Sequence, residues 1–202
     1  EEEVALALAR VGFAKLMVNV ESPALKKQQS DVSIDLSAIA KGHGVDRLAG
    51  VLESRGCEHF LVDIGGEVRT RGHNESGSDW RVGIEVPDGS GSVQRVLHLS
   101  GQAVATSGDY RNFTMAAGQR LSHTIDPRRG RPVDHDLASV TVVAASAQLA
   151  DGYATLVSVL GPEAGLRFAD SQRLAVFMIV RREAGFEERY TAPMATYLRD
   201  PQ

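Results

Sequence analysis

Alternation of apolar and polar residues predicts short strands along most of the chain. The predicted strands are residues 15–20, 30–36, 59–64, 67–70, 80–85, 93–99, 103–106, 120–125, 140–144, 174–180 and 186–190. Apolar residues that recur at helical spacing predict helices instead. The predicted helices are residues 2–10, 38–55, 147–160, 163–170 and 193–198. Because strands and helices mix without regular strand–helix–strand alternation, we predict an α+β (mixed α/β) fold.

Glycine and proline mark the ends of the two longest predicted helices. Gly56 follows the helix over residues 38–55, in the position where glycine commonly ends a helix. Gly161 and Pro162 separate the two helices that follow residue 147. No internal repeat and no long linker interrupts the sequence, so we predict a single domain over residues 1–202.

The composition is typical of a globular protein that buries a core. The 202 residues are 43% apolar and 24% charged. A net charge of −4 gives no long-range attraction to nucleic acid, so we expect no nucleic-acid partner. The longest apolar stretch, residues 174–180, is well short of the roughly 20 residues that a membrane-spanning helix needs. Cys57 is the single cysteine, which excludes an internal disulfide and a site with several thiolate ligands.

The first group of residues that could carry chemistry lies where a predicted strand meets a predicted helix. Asp35 leaves the strand, and Lys41 and Gly42 fall in the first turns of the helix. The N–H groups at a helix N-terminus suit an anionic ligand such as a phosphate. Alternatively, Asp35 or Ser37 only caps the helix and Lys41 is a solvated surface charge. The sequence of this group leaves both interpretations open.

A second group, Asp63-Ile-Gly65-Gly66-Glu67, follows the predicted strand 59–64. Paired glycines after a buried strand permit close approach of the backbone to a ligand. Ordinary turns and bulges use the same residues more often. This group is therefore a weak indication of a ligand site.

A third group contains the best candidate for a general base. His123 precedes Asp126 by three residues, and a turn follows, so this histidine has a carboxylate nearby in the sequence. Alternatively, Asp126 and Pro127 only initiate the turn, and His123 is a structural strand residue. Small, hydroxylic and charged residues that could complete a polar pocket lie upstream, in the stretch Ala105-Thr106-Ser107-Gly108-Asp109-Tyr110-Arg111.

The fourth group is Asp151 and Thr155, which lie four residues apart on the predicted helix 147–160 and therefore on one face of it. A carboxylate and a hydroxyl are hard oxygen ligands, which suit Mg²⁺ or Ca²⁺ better than zinc. Alternatively, the aspartate lies near the helix start and the threonine hydroxyl bonds back to a carbonyl one turn earlier.

Taken together and in order, these groups resemble the ApbE family of FAD:protein FMN transferases. The resemblance is carried by IDLSAIAKGHGVDRLAGVLESRG, FLVDIGGEVRTRG, WRVGIEVP, AVATSGDYRNF, SHTIDPRRGRPV and SVTVVAASAQLADGYATLVSVLGPEAG. It extends over nearly the whole chain. It implies a mixed, largely antiparallel sheet with packed helices.

The resemblance also implies roles for ten residues. The residues that it places against the flavin dinucleotide are Asp35, Lys41, Ser107, Gly108, Asp109 and Ile125. The metal ligands that it implies are Asp151, Thr155 and the backbone carbonyl of Ala38, and the proposed base is His123.

The activity implied by the resemblance is Mg²⁺-dependent transfer of FMN from FAD to a Ser or Thr hydroxyl of an acceptor protein, with release of AMP. One or two Mg²⁺ ions would bind, and the acceptor would be a subunit of a membrane redox complex. Two alternatives use the same residues. The chain could be an FAD pyrophosphatase that yields FMN and AMP, or a flavin-binding module without catalysis.

Proteins of this family normally carry a further N-terminal segment with an export signal, often with a lipid-modified cysteine. The chain begins with Glu1 rather than Met. We therefore expect an N-terminally truncated portion of a longer, periplasmic protein, with a lipid anchor to the inner membrane as a further expectation.

Overall fold

The computed structural model describes residues 1–109, 113–116 and 119–199. Three α-helices lie in this part of the chain: α1 (Glu2–Leu8), α2 (Ser37–Ser54) and α3 (Ala147–Ser171). Two short 3₁₀ segments, Phe13–Lys15 and Ala192–Thr196, accompany them. None of the helices in the described ranges is both long enough and apolar enough to cross a bilayer.

Fifteen strands lie in the described part of the chain. They are β1 (Leu16–Asn19), β2 (Ala24–Lys27), β3 (Phe60–Ile64), β4 (Glu67–Arg71), β5 (Trp80–Glu85), β6 (Val93–Leu99), β7 (Ala103–Gly108), β8 (Phe113–Ala116), β9 (Gln119–Ser122), β10 (Ile125–Asp126), β11 (Arg131–Pro132), β12 (Leu137–Ala144), β13 (Ala175–Arg182), β14 (Gly185–Tyr190) and β15 (Leu198–Arg199).

The largest sheet has six strands in the order β14-β13-β12-β7-β4-β3. A second sheet has the order β15-β6-β5, and three two-stranded ladders pair β1 with β2, β8 with β9 and β10 with β11. Every strand pair among the described residues is antiparallel. The predicted α+β fold with a largely antiparallel sheet is therefore confirmed.

The six-stranded sheet is covered on both faces. On β13, Val176, Met178 and Val180 pack in a cluster with residues of α3, whereas Phe177 and Ile179 pack with residues of the second sheet. Successive side chains of a strand point to opposite faces, so both alternating sets are buried here. The near-continuous apolar runs of β12 and β13 follow from this double coverage.

A third apolar cluster fixes α2 against the edge of the same sheet. Val45 and Ala49 of α2 pack with Phe60 and Val62 of β3 and with Ala147 at the start of α3. The N-terminal halves of the two long helices therefore lie side by side over one end of the six-stranded sheet, and this arrangement positions the site described below.

The sequence pattern misassigned one segment. Residues 30–36 were predicted as a strand, but they contain turns and irregular backbone, while the strand of this region is β2. The alternation of Val32, Ile34 and Leu36 does not reflect one buried face. Val32 is buried at 4% exposure, whereas Ile34 and Leu36 are 42% and 60% exposed.

The break predicted at Gly161 and Pro162 is present, although α3 runs across it as one element. Gly161 has a non-helical backbone, with φ +80° and ψ 177°. Glycine adopts this left-handed φ without the steric penalty of a Cβ atom. The helices predicted over 147–160 and 163–170 are thus the two segments of α3.

We expect Phe177→Ala to destabilise the protein by about 3–5 kcal/mol, because it empties a fully buried site between the two sheets. Urea denaturation measures the free energy of unfolding. Phe13→Ala is the matched control, since Phe13 is 77% exposed and its loss should change stability by less than about 0.5 kcal/mol. Equal losses in the two variants would contradict this location of the core.

Candidate active site

A cavity of about 1100 Å³ opens where the first turns of α2, the middle of α3, the end of β7 and the hairpin β10–β11 meet. Nine of the ten residues to which the family resemblance gave a role border it. They are Asp35, Ala38, Lys41, Ser107, Gly108, His123, Ile125, Asp151 and Thr155. Residues separated by more than a hundred positions in the sequence are therefore brought to one site.

The start of α2 is held by Asp35. Its Oδ1 accepts the N–H of Ser37, the first residue of the helix, at 2.7 Å. This hydrogen bond to the backbone holds the pKa of the Asp35 carboxyl below its ordinary value. Asp35 lies one position before the N-cap residue Leu36, so it secures the start of α2 without being the N-cap itself, and it also borders the cavity.

The two long helices cross in direct backbone contact at Gly42. A Cβ atom there would overlap the carbonyl group of Ala147 at the start of α3. One turn further along α2, Asp46 accepts the N–H groups of Ala147 and Gln148, each at 2.9 Å. Asp46 thereby satisfies two of the N–H groups that the start of α3 leaves unpaired.

Asp151 is bound to this crossing. Its Oδ2 accepts the N–H of Gly42 at 3.0 Å, and the residue is buried at 4% exposure. Burial raises the pKa of the Asp151 carboxyl, while the hydrogen bond from Gly42 and the charge of Lys41 oppose that rise. One turn later, the Thr155 hydroxyl lies 3.4 Å from that of Ser107 on β7.

The Lys41 side chain is half-exposed and ion-paired. Its Nζ lies 2.6 Å from Oε2 of Glu67, and the Glu67 side chain is only 2% exposed. Burial raises the pKa of the Glu67 carboxyl, and the nearby Lys41 ammonium acts in the opposite direction. In the sequence, Glu67 belongs only to the weak group that follows the strand 59–64, and no role for it is predicted.

The turn before Glu67 explains how a carboxylate comes to lie at this position. Gly65 and Gly66 have φ of +64° and +99°, a conformation that favours glycine. Asp63 Oδ1 accepts the N–H of Gly66 at 2.9 Å, which closes the turn between β3 and β4. Paired glycines followed by an acidic residue were the signal that could have identified Glu67.

His123 lies on the exposed rim of the cavity, just before β10. The carboxylate on which its prediction relied is bound elsewhere. Asp126 accepts hydrogen bonds from Nε and Nη2 of Arg128 at 2.9 and 2.8 Å, and its backbone carbonyl accepts the N–H of Gly130. Asp126 therefore builds the turn, as the alternative interpretation held, while His123 and Ile125 border the cavity.

Of the three residues predicted at the end of β7, Ser107 and Gly108 border the cavity. Asp109 is not among the lining residues, and its carboxylate is instead ion-paired with Arg181 of β13. That pair ties the end of β7 across the sheet. Tyr110 and Arg111 lie outside the described residues.

The cavity is strongly acidic. Its described lining contains five carboxylates, which are Asp35, Asp63, Glu67, Glu85 and Asp151. Lys41 is the single lysine or arginine in that lining. An anionic ligand such as a pyrophosphate needs additional positive charge to bind in such a site, because like charges repel.

The donor set of the cavity fits Mg²⁺. The carboxylate of Asp151, the hydroxyl of Thr155 and the carbonyl of Ala38 would hold the ion with hard oxygen ligands, and all three residues border the same space. Mg²⁺ commonly takes one or two carboxylates and keeps several waters. Within the described residues, no group of three or more His, Cys, Asp or Glu side chains could hold a metal ion, and two of the three donors named here are a hydroxyl and a backbone carbonyl.

The fold and the cavity define an α+β protein with an acidic, oxygen-lined ligand site. The chain belongs to the ApbE family, whose family model matches residues 1–178. It is 41% identical over 199 residues to the FAD:protein FMN transferase of Vibrio cholerae, an alignment that covers 98% of this chain and 59% of the relative.

Solved structures give the same result. The apo form of the flavinyl transferase ApbE of Pseudomonas stutzeri matches with a TM-score of 0.87 and 38% identity, over 97% of this chain and 60% of that one. The flavin transferase ApbE of Vibrio cholerae matches with a TM-score of 0.87 and 39% identity, over 98% and 62%. The chain thus spans about three fifths of the length of these relatives.

We expect Gly42→Ala to destabilise the protein by about 1–3 kcal/mol, because the added methyl group forces α2 away from the backbone of α3. Thermal and urea unfolding measure the loss. Gly50→Ala on the same helix is the matched control, since a Cβ atom there meets nothing within 4 Å and alanine favours the helix by about 0.5–1 kcal/mol. Equal stability of the two variants would show that the helices do not cross at Gly42.

The hairpin that carries His123 should show an acid-dependent ion pair. Hydrogen bonds from Arg128 lower the pKa of the Asp126 carboxyl to about 2 from the ordinary value of 3.8. The ionised carboxyl therefore stabilises the folded state above about pH 4, and this contribution to stability is lost as the pH falls toward 2. Arg128→Ala should raise the pKa of Asp126 toward 3.8, measured by NMR titration of its carboxyl carbon. Arg129→Ala, which removes the partner of Asp134, should leave the Asp126 pKa nearly unchanged. If the pKa of Asp126 stays low in Arg128→Ala, the ion pair with Arg128 is not its cause.

Proposed function

We propose that this chain carries the flavin-transfer site of its family: it moves FMN from FAD to a Ser or Thr hydroxyl of an acceptor protein and releases AMP, with Mg²⁺ bound. One observation carries the proposal. A single cavity joins the oxygen donors Ala38, Asp151 and Thr155 to Lys41 and to His123. Relatives that are about 40% identical are FAD:protein FMN transferases.

The cavity suits a dinucleotide in size and in charge. Its volume of about 1100 Å³ is at the upper end of small-molecule sites, as a ligand with two nucleotide halves requires. Asp151, Thr155 and the Ala38 carbonyl would hold Mg²⁺, which neutralises pyrophosphate charge as a Lewis acid when bound. Lys41 supplies the fixed positive charge of the lining, beside these donors.

His123 is suited to accept the proton of the incoming hydroxyl. The acceptor oxygen attacks the phosphorus on the FMN side of the pyrophosphate. The bond between this phosphorus and the bridging oxygen, which leaves with AMP, breaks. The hydroxyl proton passes to a ring nitrogen of His123, and AMP leaves with the electron pair of the broken bond. Because the acceptor is another protein, its hydroxyl must come from outside, and His123 is exposed on the cavity rim.

The proposal extends to the partner and the location. The acceptor would be a subunit of a membrane redox complex, and the intact protein would act in the periplasm, with a lipid anchor to the inner membrane. Both points rest on the family resemblance of the sequence.

The exposure of His123 also favours a second candidate. Water reaches an exposed histidine as readily as a protein hydroxyl does, so the same site could hydrolyse FAD to FMN and AMP. Transferase and pyrophosphatase need the same charges in the cavity and differ only in the nucleophile.

One experiment tests the proposal. The chain is incubated with FAD and Mg²⁺, with and without an acceptor protein that carries the target hydroxyl, and AMP release and acceptor mass are followed. Transfer predicts that the acceptor gains the mass of FMN and that AMP release depends on it. AMP release without acceptor would identify the pyrophosphatase, and retained FAD with no AMP would identify a binding module.

We expect His123→Ala to slow flavin transfer by about 10²- to 10⁴-fold, the usual contribution of a general base, with little change in FAD affinity. His73→Ala is the matched control, because His73 is also exposed but is not among the residues that border the cavity. Transfer at the wild-type rate by His123→Ala would end the assignment of this base.

A further inference from the structure

Glu67 is a buried carboxylate that the proposed reaction does not use. It begins β4, borders the cavity and has a side chain that is only 2% exposed. A buried carboxylate is costly unless a cation or hydrogen-bond donors compensate it. Lys41 compensates it here, at 2.6 Å from Oε2.

Lys41 is held less firmly by its surroundings than Glu67. Its side chain is 50% exposed toward the cavity, and a lysine side chain is long and flexible. The next residue along the helix, Gly42, donates its N–H to Asp151 at 3.0 Å. Two buried carboxylates, those of Glu67 and Asp151, therefore lie close to one ammonium group.

We propose that Glu67 is a positioning residue that holds the Lys41 ammonium away from Asp151 and so keeps the Asp151 carboxylate available to a divalent cation. This inference rests on the proposed function, because it takes Asp151 as a ligand of Mg²⁺. In this proposal the Glu67 carboxylate acts only through Lys41 and does not itself bind the cation.

The charges around the three side chains support this assignment. Glu67, Lys41 and Asp151 all border the same cavity, so their charges act on one another across its wall. Of the two carboxylates, only Glu67 forms an ion pair with the lysine in this structure. Asp151 instead accepts the backbone N–H of Gly42.

Loss of the Glu67 charge would change the partner of Lys41. The other buried carboxylate of the cavity lining is that of Asp151, and pairing with it would place an ammonium at a proposed cation ligand. A divalent cation would then have to displace the lysine before it could bind. The affinity for Mg²⁺ would fall, even though Glu67 itself is not a ligand.

The test is a titration of the flavin-free chain with MgCl₂, followed by isothermal calorimetry, for the wild type, Glu67→Gln, Lys41→Met and the double variant. We expect Glu67→Gln to weaken Mg²⁺ binding by about 10-fold or more, the usual loss when a residue that supports a metal ligand is removed. In the Lys41→Met background the same change should cost much less, because no ammonium remains to compete.

This comparison separates positioning from a simple field effect. If Glu67 acted only through its own negative charge, the loss would be equal in the two backgrounds, and equal losses overturn the proposal. Unchanged Mg²⁺ affinity in Glu67→Gln also overturns it. If Glu67→Gln does not fold, Glu67→Asp, which withdraws the carboxylate by one methylene group, is compared in the same two backgrounds and is judged by the same outcomes.

A further variant separates the failure of this inference from the failure of the proposed function. Asp151→Asn should abolish Mg²⁺ binding. If the wild type and Asp151→Asn bind MgCl₂ equally, the metal site of the proposed function is wrong. If Asp151→Asn loses binding while Glu67→Gln keeps it in full, only the role of Glu67 is wrong.

Discussion

The site depends on the contact between α2 and α3 at Gly42, where two helix backbones touch without an intervening side chain. The hydrogen bond from the Gly42 N–H to Asp151 converts this contact into a fixed position for a buried carboxylate. Asp46 reinforces the crossing, since it binds the first N–H groups of α3 and also accepts a hydrogen bond from Arg69 on β4. The contact at Gly42 therefore determines both how the two helices pack and where the Asp151 carboxylate lies.

The electrostatics of the cavity follow from the same arrangement. Carboxylates that are held against a sheet and two helices cannot move apart to relieve their repulsion, so cations have to compensate them. Lys41 provides one such charge, and the oxygen donors of Asp151 and Thr155 on the same cavity are suited to a divalent cation. Under the proposed function, an anionic pyrophosphate would be attracted by these cations rather than by the acidic lining itself. An acidic protein with a net charge of −4 could then bind such a ligand.

Much of the fold could be predicted from the sequence, because helix 38–55 has apolar residues at helical spacing, while β12 and β13 are near-continuous apolar runs that are buried on both faces. The strand prediction at 30–36 was wrong, since an alternating pattern is informative only when one set of side chains is buried, and Ile34 and Leu36 are exposed. The groups of residues that contribute to the cavity could also be recognised in the sequence. The hydrogen bonds and ion pairs that fix their side chains could not. The partners of Asp109 and Asp46 lie 72 and 101 residues away along the chain, and only the folded sheet and helices bring them together.

The break at Gly161 has a consequence for how the donors keep their geometry. Beyond it the chain folds back, so that Phe168 lies against Tyr153, with 6.5 Å between the ring centres. Tyr153 sits between Asp151 and Thr155 in the sequence and does not itself border the cavity. The segment of α3 after Gly161 thus packs against the segment that carries Asp151 and Thr155. Substitutions in this second segment of α3, which is remote from the cavity, would accordingly shift the positions of Asp151 and Thr155 without changing any residue that lines the cavity.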